Sequence, residues 1–181
     1  MRYIILLRGI NISGKNKIAM PMLKTVLEEY GFKNVSTCLN SGNVILECEI
    51  SSKEKLAQKI FDIIKEKFQL EIPVFVTTEL ELKDVLDNSP DWWDANDKNI
   101  YNNLIFIISP TNYDEIYNTI GEPSKNIDVI AEYKNHVFWS FDLKNYKKSN
   151  WWIKTASSNI KDKITIRTAN TIKKVLAMCK K

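Results

Sequence analysis

The feature that most constrains the fold of this 181-residue chain is an order of secondary-structure signals that occurs twice. In the first half, a short apolar strand at residues 3–7 precedes a helix that begins at Pro21. Two β-rich segments, a second helix pattern and a strand at residues 72–77 follow. The order β-α-β-β-α-β is that of the ferredoxin-like fold.

The second half shows the same order of signals. Corresponding strands begin roughly 90 to 100 residues apart, which predicts two structurally similar halves. We therefore expect an α+β protein with two ferredoxin-like subdomains in tandem, residues 1–78 and 100–181. An acidic connector at residues 79–99 joins them, and a C-terminal helix is added to the second.

Local signals support this reading of both halves. The polar stretch at residues 40–43, with one glycine, predicts a β-hairpin between the second and third strands. Ser51 with Glu54, and Thr111 with Asp114, are spaced to cap the helices that follow them. A further helix is predicted from Tyr146 to about residue 156.

The composition narrows the class of protein. With 44% hydrophobic and 27% charged residues, and no apolar run near the roughly 20 residues of a membrane span, we expect no membrane partner. The three cysteines and the one histidine have no metal-ligand spacing. These features predict a cytoplasmic protein with no metal site, and no cofactor is indicated.

Charge is distributed unevenly along the chain. From Lys144 onward there are eleven lysines and arginines and one acid, Asp162. This region is a solvated basic surface, is neutralised internally by the acidic connector, or binds nucleic acid, which is an alternative partner but not the favoured one. For the paired tryptophans, core packing or an interface between the halves is favoured over base stacking. The second candidate patch consists of Lys147, Lys148, Trp151 and Arg167.

The stretch GINISGK, residues 9–15, resembles a phosphate-binding P-loop in spelling only. A P-loop needs Ser or Thr after its lysine, and its helix begins there. Here Asn16 follows Lys15, and the helix signal at Pro21 comes several residues later. The stretch is therefore not a nucleotide-binding P-loop.

The predicted topology nevertheless gives this loop a second role. Strands one and three are neighbours in the ferredoxin-like order, so the exit of strand one and the hairpin at residues 40–43 lie at one end of the sheet. Cations, amides and glycine backbone there predict a pocket for a phosphate or carboxylate. The alternative is turn chemistry, with the arginine paired to an acid. The predicted ligand-binding residues are Arg8, Asn11, Gly14, Lys15, Lys17, Asn40, Ser41, Gly42 and Asn43.

The N-terminal stretch LLRGINISGKNKIAM, followed by SGNV after a strand, resembles the bacterial domain-of-unknown-function 1697 family. The family pattern has glycine where Ser13 stands, and Asn and Trp where Thr168 and Ala169 stand. The resemblance covers essentially the whole chain. It implies two ferredoxin-like subdomains and no assigned activity.

Three functions from different classes remain open from the sequence. The first is a binding module for an anionic or phosphate-bearing ligand. The second is an enzyme on a small anionic substrate, although no nucleophile or base is evident. The third is a protein-interaction or assembly module, and the oligomeric state is open.

Overall fold

The structure is a computed structural model that describes residues 1–95, 97–157 and 159–179. The chain divides into two compact units, one formed by Met1–Lys83 with the segment from Lys174 onward, the other by Asp84–Lys173. The sequence predicts subdomain boundaries at residues 78 and 100. Within the described residues, no helix is both long enough and apolar enough to cross a bilayer.

The elements of the first half follow the predicted order. They are β1 (Arg2–Leu7), α1 (Met20–Glu29), β2 (Lys33–Cys38), β3 (Asn43–Glu47), α2 (Lys53–Phe68), β4 (Val74–Thr78) and α3 (Glu79–Asp87). The second half repeats this order. Its elements are β5 (Ile100–Ile107), α4 (Tyr113–Ile120), β6 (Asp128–Tyr133), β7 (His136–Asp142), α5 (Asn150–Thr155), β8 (Ile164–Thr168) and α6 (Ala169–Cys179).

Both sheets are four-stranded and antiparallel. The strand orders are β2-β3-β1-β4 and β6-β7-β5-β8, which are equivalent positions in the two halves. The predicted α+β fold with tandem ferredoxin-like subdomains is confirmed. The final strand of each half runs directly into a helix, so α6 has a counterpart in α3. The predicted "added" helix is thus part of the repeat.

The first core lies between one sheet face and two helices. Alternate residues of β1, namely Tyr3, Ile5 and Leu7, point to that face because side chains alternate along a strand. Helix α1 contributes Leu23 and Leu27, and α2 contributes a stripe at helical spacing. These residues are almost completely buried.

The second core is richer in aromatic residues. Trp139 and Trp151 are buried, and their ring centroids lie 6.5 Å apart. The buried carboxylate of Asp128 accepts hydrogen bonds from Trp139 Nε1 at 3.0 Å and from Ser149 Oγ at 2.6 Å. Its other oxygen accepts from the Ser124 backbone N–H at 3.0 Å. The three donors satisfy a carboxylate that would otherwise be costly to bury.

Two predicted helix caps are wrong by one residue. Ser52 caps α2, and its hydroxyl accepts from the Lys55 N–H at 3.2 Å. Asn112 caps α4 in the same way, accepting from the Glu115 N–H at 3.0 Å. In each case the extended backbone that a cap requires persists one residue beyond the predicted position.

The predicted helix from Tyr146 is interrupted. A 3-10 turn covers Tyr146–Lys148, and α5 begins only after Ser149. Ser149 has extended backbone, and its hydroxyl accepts from the Trp152 N–H at 2.8 Å while donating to Asp128. The buried contact to Asp128 holds Ser149 as a cap, so the helix restarts there.

Candidate functional site

The candidate site begins where β1 ends, in the loop of residues 8–19. Five of its residues have positive φ, the left-handed region that glycine and asparagine tolerate best. They are Gly9, Asn11, Ser13, Gly14 and Asn16. Five left-handed residues in so short a segment give a compact loop. Hydrogen bonds from the asparagine side chains and the backbone N–H groups of the loop hold this conformation.

Asn11 is the main brace of this loop. Its Nδ2 donates to the Ile18 carbonyl and to the Asn40 carbonyl, both at 2.9 Å. Its Oδ1 accepts from the Ile18 N–H at 2.9 Å. The side chain therefore closes the loop on itself and joins it to the hairpin between β2 and β3.

A second asparagine and the backbone complete the bracing. Asn16 Nδ2 donates to the Gly9 carbonyl at 3.1 Å, and the Asn11 N–H donates to the Asn16 carbonyl at 3.1 Å. The Lys15 N–H donates to the Ile12 carbonyl at 2.9 Å. The tip of the loop is thereby fixed at both of its ends.

The hairpin approaches the loop closely at Gly42. A Cβ placed on Gly42 would lie 2.7 Å from Leu7 Cβ and 2.9 Å from Ile10 Cδ1. The Gly42 carbonyl also accepts from the Leu7 N–H at 2.8 Å. Only glycine fits this contact, so loop and hairpin lie together at one end of the sheet.

The predicted ligand-binding residues separate into two groups by what their side chains contact. Asn11 and Asn43 are engaged within the protein, because Asn43 Nδ2 donates to the Cys38 carbonyl at 2.8 Å and to Ser41 Oγ at 3.0 Å. Asn43 is fully buried. For these two amides the turn-chemistry alternative describes the contacts seen. Lys15, Lys17, Gly14 and Asn40 are exposed, and Arg8 and Ser41 are half-buried.

The chain segment that forms this loop carries only positive charges. No Asp or Glu occurs in the sequence before Glu28, whereas five arginines and lysines do. Among the described residues, Lys15 and Lys17 form no ion pair with a carboxylate. Gly9 has open space around the position of a Cβ. The loop thus presents two lysines on a braced backbone.

The second predicted patch is corrected by the structure. Trp151 is completely buried, and its Nε1 donates to the Gly121 carbonyl at 3.2 Å. Arg167 is also buried, and its Nη1 donates to Thr165 Oγ1 at 2.8 Å. Only Lys147 and Lys148 are exposed. The core prediction is therefore right for Trp151, and the four residues form no common surface.

Part of the basic C-terminal region is neutralised by acids. Lys173 pairs with Asp94 of the acidic connector, within the second unit. Lys163 lies 3.9 Å from the Glu115 carboxylate. The idea of internal neutralisation by the connector thus applies to Lys173.

The thiols and the histidine were the remaining reactive groups in the sequence. Burial raises the pKa of the Cys38 thiol. Burial and the Glu79 charge together raise the pKa of Cys179 to about 11, with Arg2 opposing them. His136 Nδ1 lies 2.8 Å from the Lys134 carbonyl, in the turn. In the described ranges, no three His, Cys, Asp or Glu residues are grouped so that they could hold a metal ion.

One concavity gave no signal in the sequence. A cavity of about 430 Å³ lies at the opposite end of the first sheet, where β1 and β2 begin and β3 ends. Lys59 Nζ lies 5.0 Å from the Phe32 ring centroid at its wall. Its lining comes from four separate segments, at Met1, residues 31–33, residues 47–50 and Lys59, which a linear pattern does not bring together.

These observations define a class, namely an α+β protein of two ferredoxin-like units with a braced cationic loop on the first. A sequence model of the family described as "protein of unknown function (DUF1697)" matches residues 1–138. The chain belongs to this domain-of-unknown-function 1697 family.

A solved structure agrees over nearly the full length. The chain is similar to a conserved bacterial protein from Streptococcus pneumoniae, with 27% sequence identity and a TM-score of 0.84. The match covers 98% of this chain and 97% of the other. No curated protein matches the sequence.

Proposed function

We propose that the first unit binds a small phosphate-bearing or otherwise anionic ligand at the loop of residues 8–17 and the adjoining hairpin. The observation that carries the proposal is the pair Lys15 and Lys17, which are exposed, without carboxylate partners among the described residues, and mounted on a braced loop. The contacts of Asn11 and Asn16 support the loop, and the lysines face the ligand's charge.

Bracing favours binding because little conformational entropy is lost when the ligand arrives. A loop that must be ordered on binding loses part of the interaction free energy, whereas one fixed beforehand does not. Here six hydrogen bonds, four made by asparagine side chains and two between backbone groups, hold residues 9–18 before any ligand is present. The proposed site is preorganised in this sense.

The charges determine the ligand class. Lysine ammonium groups bind phosphate as point charges with several donors, and do not impose the flat two-point geometry of arginine. With no acid before Glu28, the local potential favours an anion. Half-buried Arg8 adds a third positive charge beside the loop, and exposed Asn40 adds a side-chain amide.

The test is isothermal titration calorimetry with inorganic pyrophosphate and with ADP at low salt. We expect the double variant Lys15→Gln plus Lys17→Gln to weaken binding about tenfold or more, a loss of roughly 1.4 kcal/mol. The matched control is Lys33→Gln plus Lys55→Gln, which removes the same charge from exposed positions of the first unit away from the loop. It should bind nearly as the parent does.

Two results would overturn the proposal. One is the absence of heat with both ligands at low salt. The other is an equal loss of affinity in the control variant, which would mean that net charge alone attracts the anion.

We further infer a cytoplasmic location. Its support is the three cysteines, all unpaired, since buried free thiols persist in a reducing compartment. Cell fractionation with an antibody to the protein tests this, and recovery in a membrane or extracellular fraction would contradict it.

A further inference from the structure

The second unit carries exposed aromatic rings, and one of them belongs to the tryptophan pair for which base stacking is the less favoured reading of the sequence. Trp152 is 43% exposed, although its neighbour Trp151 is buried. Its ring packs edge-on against Tyr146 at 5.1 Å and against Phe141 at 5.4 Å between centroids. Tyr101, which is 37% exposed, lies 5.4 Å from Phe141. We call Tyr101, Tyr146 and Trp152, together with the buried Phe141 that Tyr101 and Trp152 contact, the aromatic surface.

The backbone explains why these rings meet. Tyr101 pairs with Phe141 in the register of β5 and β7, so their side chains share one sheet face. Ser149 fixes the start of α5, and consecutive helical residues differ by about 100° in direction. This rotation buries Trp151 and turns Trp152 outward over Phe141.

Lysines border the aromatic surface on the same chain segment. Lys144, Lys147, Lys148 and Lys154 lie at or next to the elements that carry Tyr146 and Trp152. Lys147 Nζ lies 5.9 Å from the Tyr146 ring centroid. Among the described residues, neither Lys147 nor Lys148 pairs with a carboxylate. Asp142 is the nearby acid, and Asn145 Nδ2 donates to it at 2.9 Å.

We propose that this aromatic surface and its lysines bind single-stranded nucleic acid, with a base stacked on Trp152 and phosphates contacted by Lys147 and Lys148. Exposed rings beside cations are the general means by which proteins hold single strands without reading their sequence. This surface is separate from the loop site of the first unit, and the proposal does not depend on that site.

Charge complementarity favours this occupant over a second copy of the chain. Lys144, Lys147 and Lys148 are exposed on the chain segment that carries this surface, and Asp142 is the one acid beside them in the sequence. A symmetric contact between two such surfaces would bring like charges together, which is unfavourable. A single strand supplies both anionic phosphates and flat bases, which match the lysines and the rings.

The experiment measures fluorescence anisotropy of labelled twelve-nucleotide poly-uridine and poly-thymidine, titrated with the full chain between low and moderate salt. We expect Trp152→Ala to weaken binding about fivefold or more, which corresponds to the loss of one stacked base. Trp92→Ala, another incompletely buried tryptophan of the second unit, is the matched control and should change little.

The lysines are tested in the same titration. Lys147→Gln plus Lys148→Gln should lower the slope of log K against log salt by about 1.4, since each phosphate contact contributes roughly 0.7 for single strands. The control is Lys161→Gln plus Lys163→Gln, with the same change of charge. Lys163 lies away from the aromatic surface, because its carbonyl accepts a hydrogen bond from the Ile108 N–H at the end of β5 opposite to Tyr101.

Several results would overturn the proposal. They are no binding at low salt, equal binding by Trp152→Ala and Trp92→Ala, or equal slopes for the two lysine pairs. A dimer that Trp152→Ala dissociates in light scattering would show that a second copy covers the surface. If Trp152→Ala fails to fold by circular dichroism, Trp152→Phe replaces it. Retention of affinity within about threefold then supports stacking, and a parent-like slope of the lysine variant refutes the proposal.

Discussion

The two halves share a topology but differ at the sheet end where the first strand runs towards the first helix. In the first unit residues 8–19 separate β1 from α1, whereas in the second residues 108–112 suffice between β5 and α4. The hairpins differ similarly. The first turn comprises residues 39–42, and the second only Lys134 and Asn135.

Despite these differences, an asparagine side chain in each unit forms hydrogen bonds between the loop and the hairpin. In the first, Asn11 of the loop donates to the Asn40 carbonyl of the hairpin. In the second, Asn135 of the hairpin accepts from the Tyr113 N–H at 2.8 Å and donates to the Thr111 carbonyl at 3.2 Å. The contact between loop and hairpin is therefore a feature common to both units. The first unit differs in having a longer loop that carries Lys15 and Lys17. We propose that this longer loop binds the ligand.

The largest expected effect tests the tight contact found only in the first hairpin. Gly42→Ala should lower the free energy of unfolding by about 3 kcal/mol, from overpacking against Leu7 and from the φ of +77°. Urea unfolding measures it. Gly9→Ala is the control, since it shares a positive φ, +67°, but has open space. It should cost only about 1 kcal/mol, and equal losses would contradict the close packing.

The next effect compares the two braces. Asn11→Ala should cost about 2–3 kcal/mol, because three hydrogen bonds are lost and the Ile18 N–H loses its partner. Asn135→Ala, with two such bonds, should cost about 1–2 kcal/mol. Urea unfolding with amide hydrogen exchange of residues 9–18 measures both. Unchanged exchange in Asn11→Ala would show that this side chain does not brace the loop.

The helices that end the two repeats differ in their caps, and the difference predicts a pH dependence. Burial raises the pKa of the Glu81 carboxyl, but Lys53 and the donors of Thr78 and Thr77 outweigh it and lower the pKa below 4.5. A lowered folded-state pKa means stabilisation that is present above the ordinary value and lost as pH falls through the folded value. In α6, Thr171 occupies the corresponding place beside Thr168.

We therefore expect Glu81→Gln to cost about 0.5–1 kcal/mol at pH 7, a small value because the side chain is 45% exposed. The gap from the parent should shrink as the pH falls from the ordinary glutamate pKa of about 4.3 through the lowered folded-state pKa. Thr171→Val should cost a similar amount at every pH, because no titrating group is involved. Urea unfolding at pH 3.5 and pH 7 measures both. A gap of constant size for Glu81→Gln would contradict the assigned interaction.

The smallest effect concerns equivalent core positions on the first strands. Tyr3 and Asn103 occupy the same register, opposite Thr78 and Thr168. The Tyr3 hydroxyl donates to the Ile50 carbonyl at 2.8 Å, whereas buried Asn103 Nδ2 has no hydrogen-bond partner among the described residues. Asn103→Val should thus stabilise by about 0.5–1 kcal/mol.

Its neighbour provides the control for that prediction. Asn102 Oδ1 accepts from Ser140 Oγ at 2.5 Å, so Asn102→Val should destabilise by about 1 kcal/mol. Thermal unfolding measures both variants. Destabilisation by Asn103→Val of equal size would mean that the Asn103 amide is paired.

The order of strands and helices along the chain, and the buried faces of the helices, were predictable because they follow from local periodicity. The predicted cap of α2 was displaced by one residue because Ser51 and Ser52 can both cap a helix, and only the backbone conformation decides between them. The role of Asn11 could not be predicted, since its partners Ile18 and Asn40 meet only in three dimensions. Adjacent Trp151 and Trp152 share one sequence signal but face opposite environments.

The most direct test of the central claim is a ¹⁵N–¹H correlation titration of the full chain with inorganic pyrophosphate. We predict saturable shifts of the amides of residues 9–17 and 40–42, with no shifts at Lys134 and Asn135 in the equivalent hairpin of the second unit. Lys15→Gln plus Lys17→Gln should abolish them. Equal shifts at both hairpins, or no shifts in the loop, would contradict the assignment of binding to the first unit.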